Sequence, residues 1–206
     1  MAEQLLRPML ASSATRCKEL TRLALVLLIG VPLTSNAAKV PAHFQSYATT
    51  NVGGGLSCVV GATSDSEHSN ERAYVYIEDS KTHTLRWIAS IPLHAGWYQN
   101  RASHCVADGG AIYALIQSDT NATPVMSQTL ISIAKLDQGT GRIESNDLVK
   151  VTASVGAHTV FVYDGAENFR SDAGKLVVTG EYVSKSDPAE IRKPFTFAIP
   201  INNTLR

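Results

Sequence analysis

The chain has 206 residues, with 18 basic and 18 acidic side chains that cancel to a formal net charge of zero. That balance supplies neither a basic surface for phosphate backbones nor an acidic tail, and it argues against nucleic acid as a partner. A length of this order ordinarily builds one domain with its own core.

Residues 1–37 read as an export signal. Arg7, Arg16, Lys18 and Arg22 outweigh Glu3 and Glu19 in a polar lead, and an uncharged apolar run follows from Leu23 to Leu33. Ser35-Asn36-Ala37 then supplies the small residues of a cleavage site before Ala38. Positive charge stays on the cytoplasmic side while the apolar run enters the membrane. The run is too short for a spanning helix, which takes about 20 apolar residues. The expectation is a secreted or periplasmic protein with no stable membrane span after cleavage. The alternative is tethering by an uncleaved signal anchor. Residues 38–206 then form a single secreted β domain.

In that domain strand signals dominate. Arg72–Glu78 alternates aromatic and β-branched residues and turns at Asp79-Ser80-Lys81, and Thr84–Ile91 runs back until Pro92 stops it. His104–Ala107, the turn Asp108-Gly109-Gly110 and Ala111–Gln117 predict a hairpin, because both glycines can take positive φ. Further strands are expected at Thr129–Leu136, Asp147–Thr152, His158–Tyr163, Lys175–Tyr182 and Pro194–Ile199. No amphipathic helix of useful length is visible. The expected fold is all-β.

Cys58 and Cys105 remain after Cys17 departs with the signal, and an even pair in an exported chain reads as a disulfide. A Cys105 nucleophile served by His104 is the sharper alternative. Neighbours on a strand point to opposite faces, which counts against it.

The strand runs repeat loosely, with Cys58, Cys105 and Phe161 near the centres of three first strands. Asp108-Gly109-Gly110-Ala111-Ile112-Tyr113-Ala114-Leu115 and Leu136-Asp137-Gln138-Gly139-Thr140-Gly141-Arg142-Ile143 resemble the hairpin and turn of β-propeller blades. The resemblance covers residues 101–145 and implies an architecture, not one activity. It implies a small or partial propeller-like array of antiparallel meanders, with a β-sandwich as the alternative. Three units are too few for a closed ring of at least four blades. Either residues 38–57 and the C-terminal tail complete a fourth, or the sheets pack as a sandwich.

Chemical motifs are sparse. Gly53-Gly54-Gly55 lacks the spacing and the helix of a phosphate loop and reads as flexible chain. Ser57 lacks the closing glycine of a nucleophile elbow and reads as a strand residue. His43, His68, His83, His94, His104 and His158 are scattered without metal-ligand spacing. No catalytic residue, metal site or cofactor is indicated. Asn121-Ala122-Thr123 and Asn202-Asn203-Thr204 match a glycosylation acceptor pattern, which matters only in a cell that uses it.

The binding candidate is His94-Ala95-Gly96-Trp97-Tyr98-Gln99-Asn100-Arg101, read as a loop after Pro92. His94, Trp97, Tyr98 and Arg101 could stack on a sugar or anchor a protein partner. Otherwise Trp97 and Tyr98 plug the core. Gly165–Asp172 reads as a plain connecting loop. Together these features predict an exported, non-enzymatic binding protein for a protein or glycan ligand, in its specific form a periplasmic inhibitor or immunity-type protein. A hydrolase or lyase acting on a glycan or ester, and a structural envelope component, are the alternatives.

Overall fold

The computed structural model describes residues 39–67, 69–123, 126–151 and 156–201. The expected signal, Cys17, His68 and the acceptor pattern at Asn202 lie outside the described residues. No α-helix occurs among the described residues, and the strands form three antiparallel sheets. Sheet 1 is the meander β1 (Phe44–Gly53), β2 (Leu56–Thr63), β3 (Arg72–Asp79) and β4 (Leu85–Ser90). Sheet 2 is the meander β5 (Trp97–Asp108), β6 (Ala111–Thr123), β7 (Met126–Asp137) and β8 (Ile143–Leu148). Sheet 3 holds β9 (His158–Phe161), β10 (Phe169–Asp172), β11 (Lys175–Ser184) and β12 (Lys193–Pro200).

β9 and β10 pair with successive halves of one edge of β11, Phe161 lying opposite Glu181 and Phe169 opposite Val178. They are one interrupted strand. The interruption, residues 162–168, holds the single-turn 3₁₀ helix Ala166–Asn168. Gly165–Asp172 is therefore no plain loop: it supplies that turn and a strand.

The three sheets share one turn chemistry. Ser80 N–H donates to the Gly55 carbonyl at 2.8 Å, Gln138 N–H to Gly110 at 3.1 Å, and Ile201 N–H to Gly174 at 3.0 Å. Asp79 Oδ1 accepts from Thr82 N–H at 2.9 Å, and Asp137 Oδ1 accepts from Thr140 N–H at 2.8 Å. These contacts set β1–β4 equivalent to β5–β8, and β10–β12 equivalent to β5–β7. The frame that aligns Cys58 with Cys105 is corrected by this: Cys58 sits in the second strand of its sheet and Cys105 in the first of the next. Residues 44–53 begin sheet 1 and contribute nothing to a fourth blade. Gly53-Gly54-Gly55 is no loose chain but the β1–β2 hairpin turn, with φ values of 85°, 60° and 73°.

Sheet 2 is the middle layer, buried on both faces, and its side chains alternate between two cores. Ile112, Ala114, Ile116, Ala134 and Leu136 pack with Val60, Val75, Ile77 and Trp87 of sheet 1. Tyr113, Leu115, Ile131 and Ile133 pack with Val160, Phe169, Leu176 and Val178 of sheet 3. A bulge at Ser103, between the pairs Ala102–Ile116 and His104–Leu115, keeps Ala102 and Cys105 on the sheet 1 face although they are three residues apart. Cys105 is disulfide-bonded to Cys58 there, with Cα atoms 6.5 Å apart. The array is open, a partial propeller-like stack that also fits a layered sandwich.

Among the described residues the third meander has no counterpart of β4 and β8, and β12 pairs with β11 alone. Asp172 and Lys175 flank a two-residue turn and exchange both hydrogen bonds. Alternation along β11 and β12 then aims the backbone groups of residues 194, 196, 198 and 200 at the free edge. Two of those positions are Pro194 and Pro200.

Candidate functional site

The region singled out from sequence lies at one rim of the stack, where β5 begins. It is not one loop. Only residues 94–96 connect, while Trp97, Tyr98 and Arg101 belong to the β5 strand. His94 and Trp97 close a turn through Trp97 N–H to the His94 carbonyl at 3.2 Å, with Gly96 at φ 83° in its third position. Their rings meet at 4.6 Å between centroids. Tyr98, 37% exposed, follows Trp97 in β5, at an irregularity in the pairing with β6.

What lies under these aromatics is held tightly. The buried Asn100 accepts Ala73 N–H on Oδ1 at 2.8 Å and donates Nδ2 to the Ile91 carbonyl at 3.1 Å. Its amide thus replaces backbone pairing between sheets 1 and 2. Arg72 donates to the Tyr98 carbonyl at 2.9 Å. Arg101 lies 3.3 Å from both Glu71 Oε2 and Asp119 Oδ2. Tyr47 donates to Glu71 Oε1 at 2.6 Å, while Thr129 and Gln99 donate to the two oxygens of Asp119, each at 2.6 Å. Burial and then the Glu71 carboxylate push the Tyr47 phenol up to about 12. The guanidinium of Arg101 is therefore committed to acceptors from β6 and from the approach to β3, and it fixes the strand under Tyr98.

Sequence reasoning passed over Tyr47 and Glu71 and assigned no site role of their own to Asn100 and Asp119. Asp119 had a readable signal: a carboxylate late in an apolar strand demands a partner when buried.

At the opposite rim a cleft of about 490 Å³ opens between sheets 2 and 3. Its floor is apolar, with Ile133, Leu176, Ile199 and Ile201, and its polar wall carries Asp108, Tyr113, Lys135, Ser145 and Asp147. Among the described residues sheet 3 has no counterpart of β8, and the cleft is lined by β8 together with β11 and the end of β12. Lys135 Nζ is 2.9 Å from Glu144 Oε2, and that contact holds its ammonium above the usual lysine range. Asp108 accepts a hydrogen bond from Ser171. Burial raises the Tyr113 phenol.

His104 is buried between the layers as well, 4% exposed and turned to sheet 3. It faces away from the disulfide, as strand alternation requires. Its Nδ1 lies 3.0 Å from Ser103 Oγ, while Nε2 has no hydrogen-bond partner. Burial pushes the imidazole below its usual range. The Tyr163 and Gly165 carbonyls oppose this without reaching hydrogen-bond geometry at Nε2. Ser57, in β2, shares a hydrogen bond of 2.8 Å with Ser80 Oγ. Among the described residues no group of three or more His, Cys, Asp or Glu side chains is placed to hold a metal ion.

The chain matches no protein-family model, and comparison with curated proteins returns no relative. Function has to be read from the geometry.

Proposed function

We propose that the protein is an exported, non-enzymatic binding protein that takes a protein or glycan ligand at the rim carrying His94, Trp97 and Tyr98. The observation behind this reading is the His94–Trp97 ring pair followed in β5 by the exposed Tyr98, on a strand start where Asn100, Arg72 and Arg101 each make a tie to another strand. Aromatic side chains on a rigid base bind at low ordering cost, because few rotamers are frozen on contact. Arg101 contributes by positioning, its charge being balanced within the protein. Export is supported by the basic lead with its short apolar run and by the Cys58–Cys105 disulfide, a bond that persists in oxidising compartments. A periplasmic inhibitor or immunity-type protein, whose rim covers a site on its target, is the specific form we favour.

The test places a photo-crosslinking residue at position 98 and a control at the exposed Thr196 on the far sheet, in cells that produce the protein. A partner captured from position 98, absent from position 196 and lost on Trp97→Ala, is expected. Equal capture from both positions, or none from position 98, overturns the reading.

A further inference from the structure

The cleft between sheets 2 and 3 is independent of the aromatic rim and lies at the other end of β5. Its charge is unequal in a specific way. Among the described residues Lys135 is its one cationic wall group, and Glu144 already holds that ammonium at 2.9 Å. Asp147 faces the cleft with no hydrogen bond or ion pair among the described residues. Asp108 spends one carboxylate oxygen on Ser171 and keeps the other. Ser145 and Tyr113 add hydroxyls on the same wall. An occupant therefore meets unspent acceptors above an apolar floor, in a volume that suits a small organic molecule.

We propose that this cleft binds a small organic ammonium ligand: an amine whose charged nitrogen is taken by Asp147 and Asp108 and whose apolar body lies on Ile133, Leu176 and Ile199. A partly desolvated carboxylate gains more from a charged donor than from a neutral one, so the amine is preferred over an alcohol of the same shape. Carboxylates are rejected because Asp147 repels them and Lys135 is already neutralised. Removing the Lys135 ammonium takes a positive charge out of the wall, while Glu144 keeps Arg142 at 3.2 Å.

The experiment titrates the isotope-labelled protein with phenethylamine, 2-phenylethanol and 3-phenylpropanoate and follows backbone amide shifts. Phenethylamine is expected to saturate and to move the amides of Tyr113, Lys135 and Asp147. The alcohol binds more weakly, and the carboxylate does not saturate. Asp147→Asn is expected to weaken the amine by about tenfold, the loss of one charge-assisted hydrogen bond. Lys135→Met is expected to tighten it. Trp97→Ala leaves it unchanged, which separates this site from the rim. Failure of phenethylamine to saturate at millimolar concentration overturns the proposal. So does an equal affinity for 3-phenylpropanoate, or an Asp147→Asn variant of unchanged affinity.

Discussion

The two faces of sheet 2 are covered by different means. Toward sheet 1 the contact is apolar and covalently linked: Val60, Val75, Ile77 and Trp87 meet Ile112, Ile116 and Leu136, and the disulfide joins β2 to β5. Toward sheet 3 there is no cross-link, and polar side chains help to dock the layers. Gln117 donates to the Val162 carbonyl at 3.2 Å, Gln128 to the His158 carbonyl at 2.9 Å, and His104 is buried against the excursion that splits β9 from β10. The first interface gives rigidity to the rim above it. The second leaves a cleft at its end. One sheet thus serves as the wall of a closed core and of an open one, and the difference lies in which side chains it turns each way.

The largest test of that contrast is removal of the cross-link. Cys58→Ser and Cys105→Ser are each expected to lower unfolding free energy by about 4 kcal/mol, with little added in the double variant, as a 47-residue loop requires. Hydrogen exchange should show the loss of protection concentrated in β2 and β5. Equal loss across β11 would erase the distinction between the interfaces.

Gly141→Ala comes next. Gly141 has φ 72°, and a Cβ there would collide with the Trp87 ring, whose indole N–H donates to the Gln138 carbonyl at 2.8 Å. A cost of about 2 kcal/mol is expected by denaturant titration. The equivalent turn position in sheet 1 is His83, which already adopts φ 54° in an exposed turn, so His83→Gly should change stability little or raise it.

The third test probes the sheet 3 interface by pH. The folded protein keeps His104 neutral, whereas the unfolded chain takes up a proton near about pH 6.5. The unfolded state then binds more protons below that pH. The contribution of the neutral ring is complete above it and is lost as pH falls toward the depressed folded value. A His104→Gln variant should show a flatter fall in melting temperature over that window. The smallest expected change is Tyr98→Ala: stability within about 0.5 kcal/mol of the parent, with crosslinking from the adjacent rim lost.

Much of this architecture is legible in the sequence, and the omissions have physical causes. β2, β3, β6, β7 and β11 carry long apolar or alternating runs because they are central or bury a full face. β1 and β8 are sheet edges with polar, threonine- and serine-containing stretches such as Ala48-Thr49-Thr50-Asn51 and Glu144-Ser145-Asn146-Asp147. Their pairing comes from neighbours, which periodicity does not report. For this reason the strand expected at Asp147–Thr152 is found earlier, as β8 at Ile143–Leu148, with Thr152 itself outside the described residues. Missing β1 also displaced the repeat frame by one strand. Trp97–Arg101 reads as loop because Pro92 and Gly96 stand just ahead of it, yet β5 gains its pairing from β6. The disulfide and the opposed directions of His104 and Cys105 were accessible from cysteine count and strand period alone. Asn100, Gln117 and Gln128 were not, since each bonds a backbone group supplied by a distant segment.

The prolines at the outer edge of β12 bear on how the molecule behaves in a crowded compartment. Among the described residues no strand covers the outer edge of β12, and an uncovered row of backbone groups is a template for the addition of further chains. Pro194 and Pro200 withhold the amide hydrogens at both ends of that row. An edge blunted in this way can border the cleft without turning the protein into a seed for fibres.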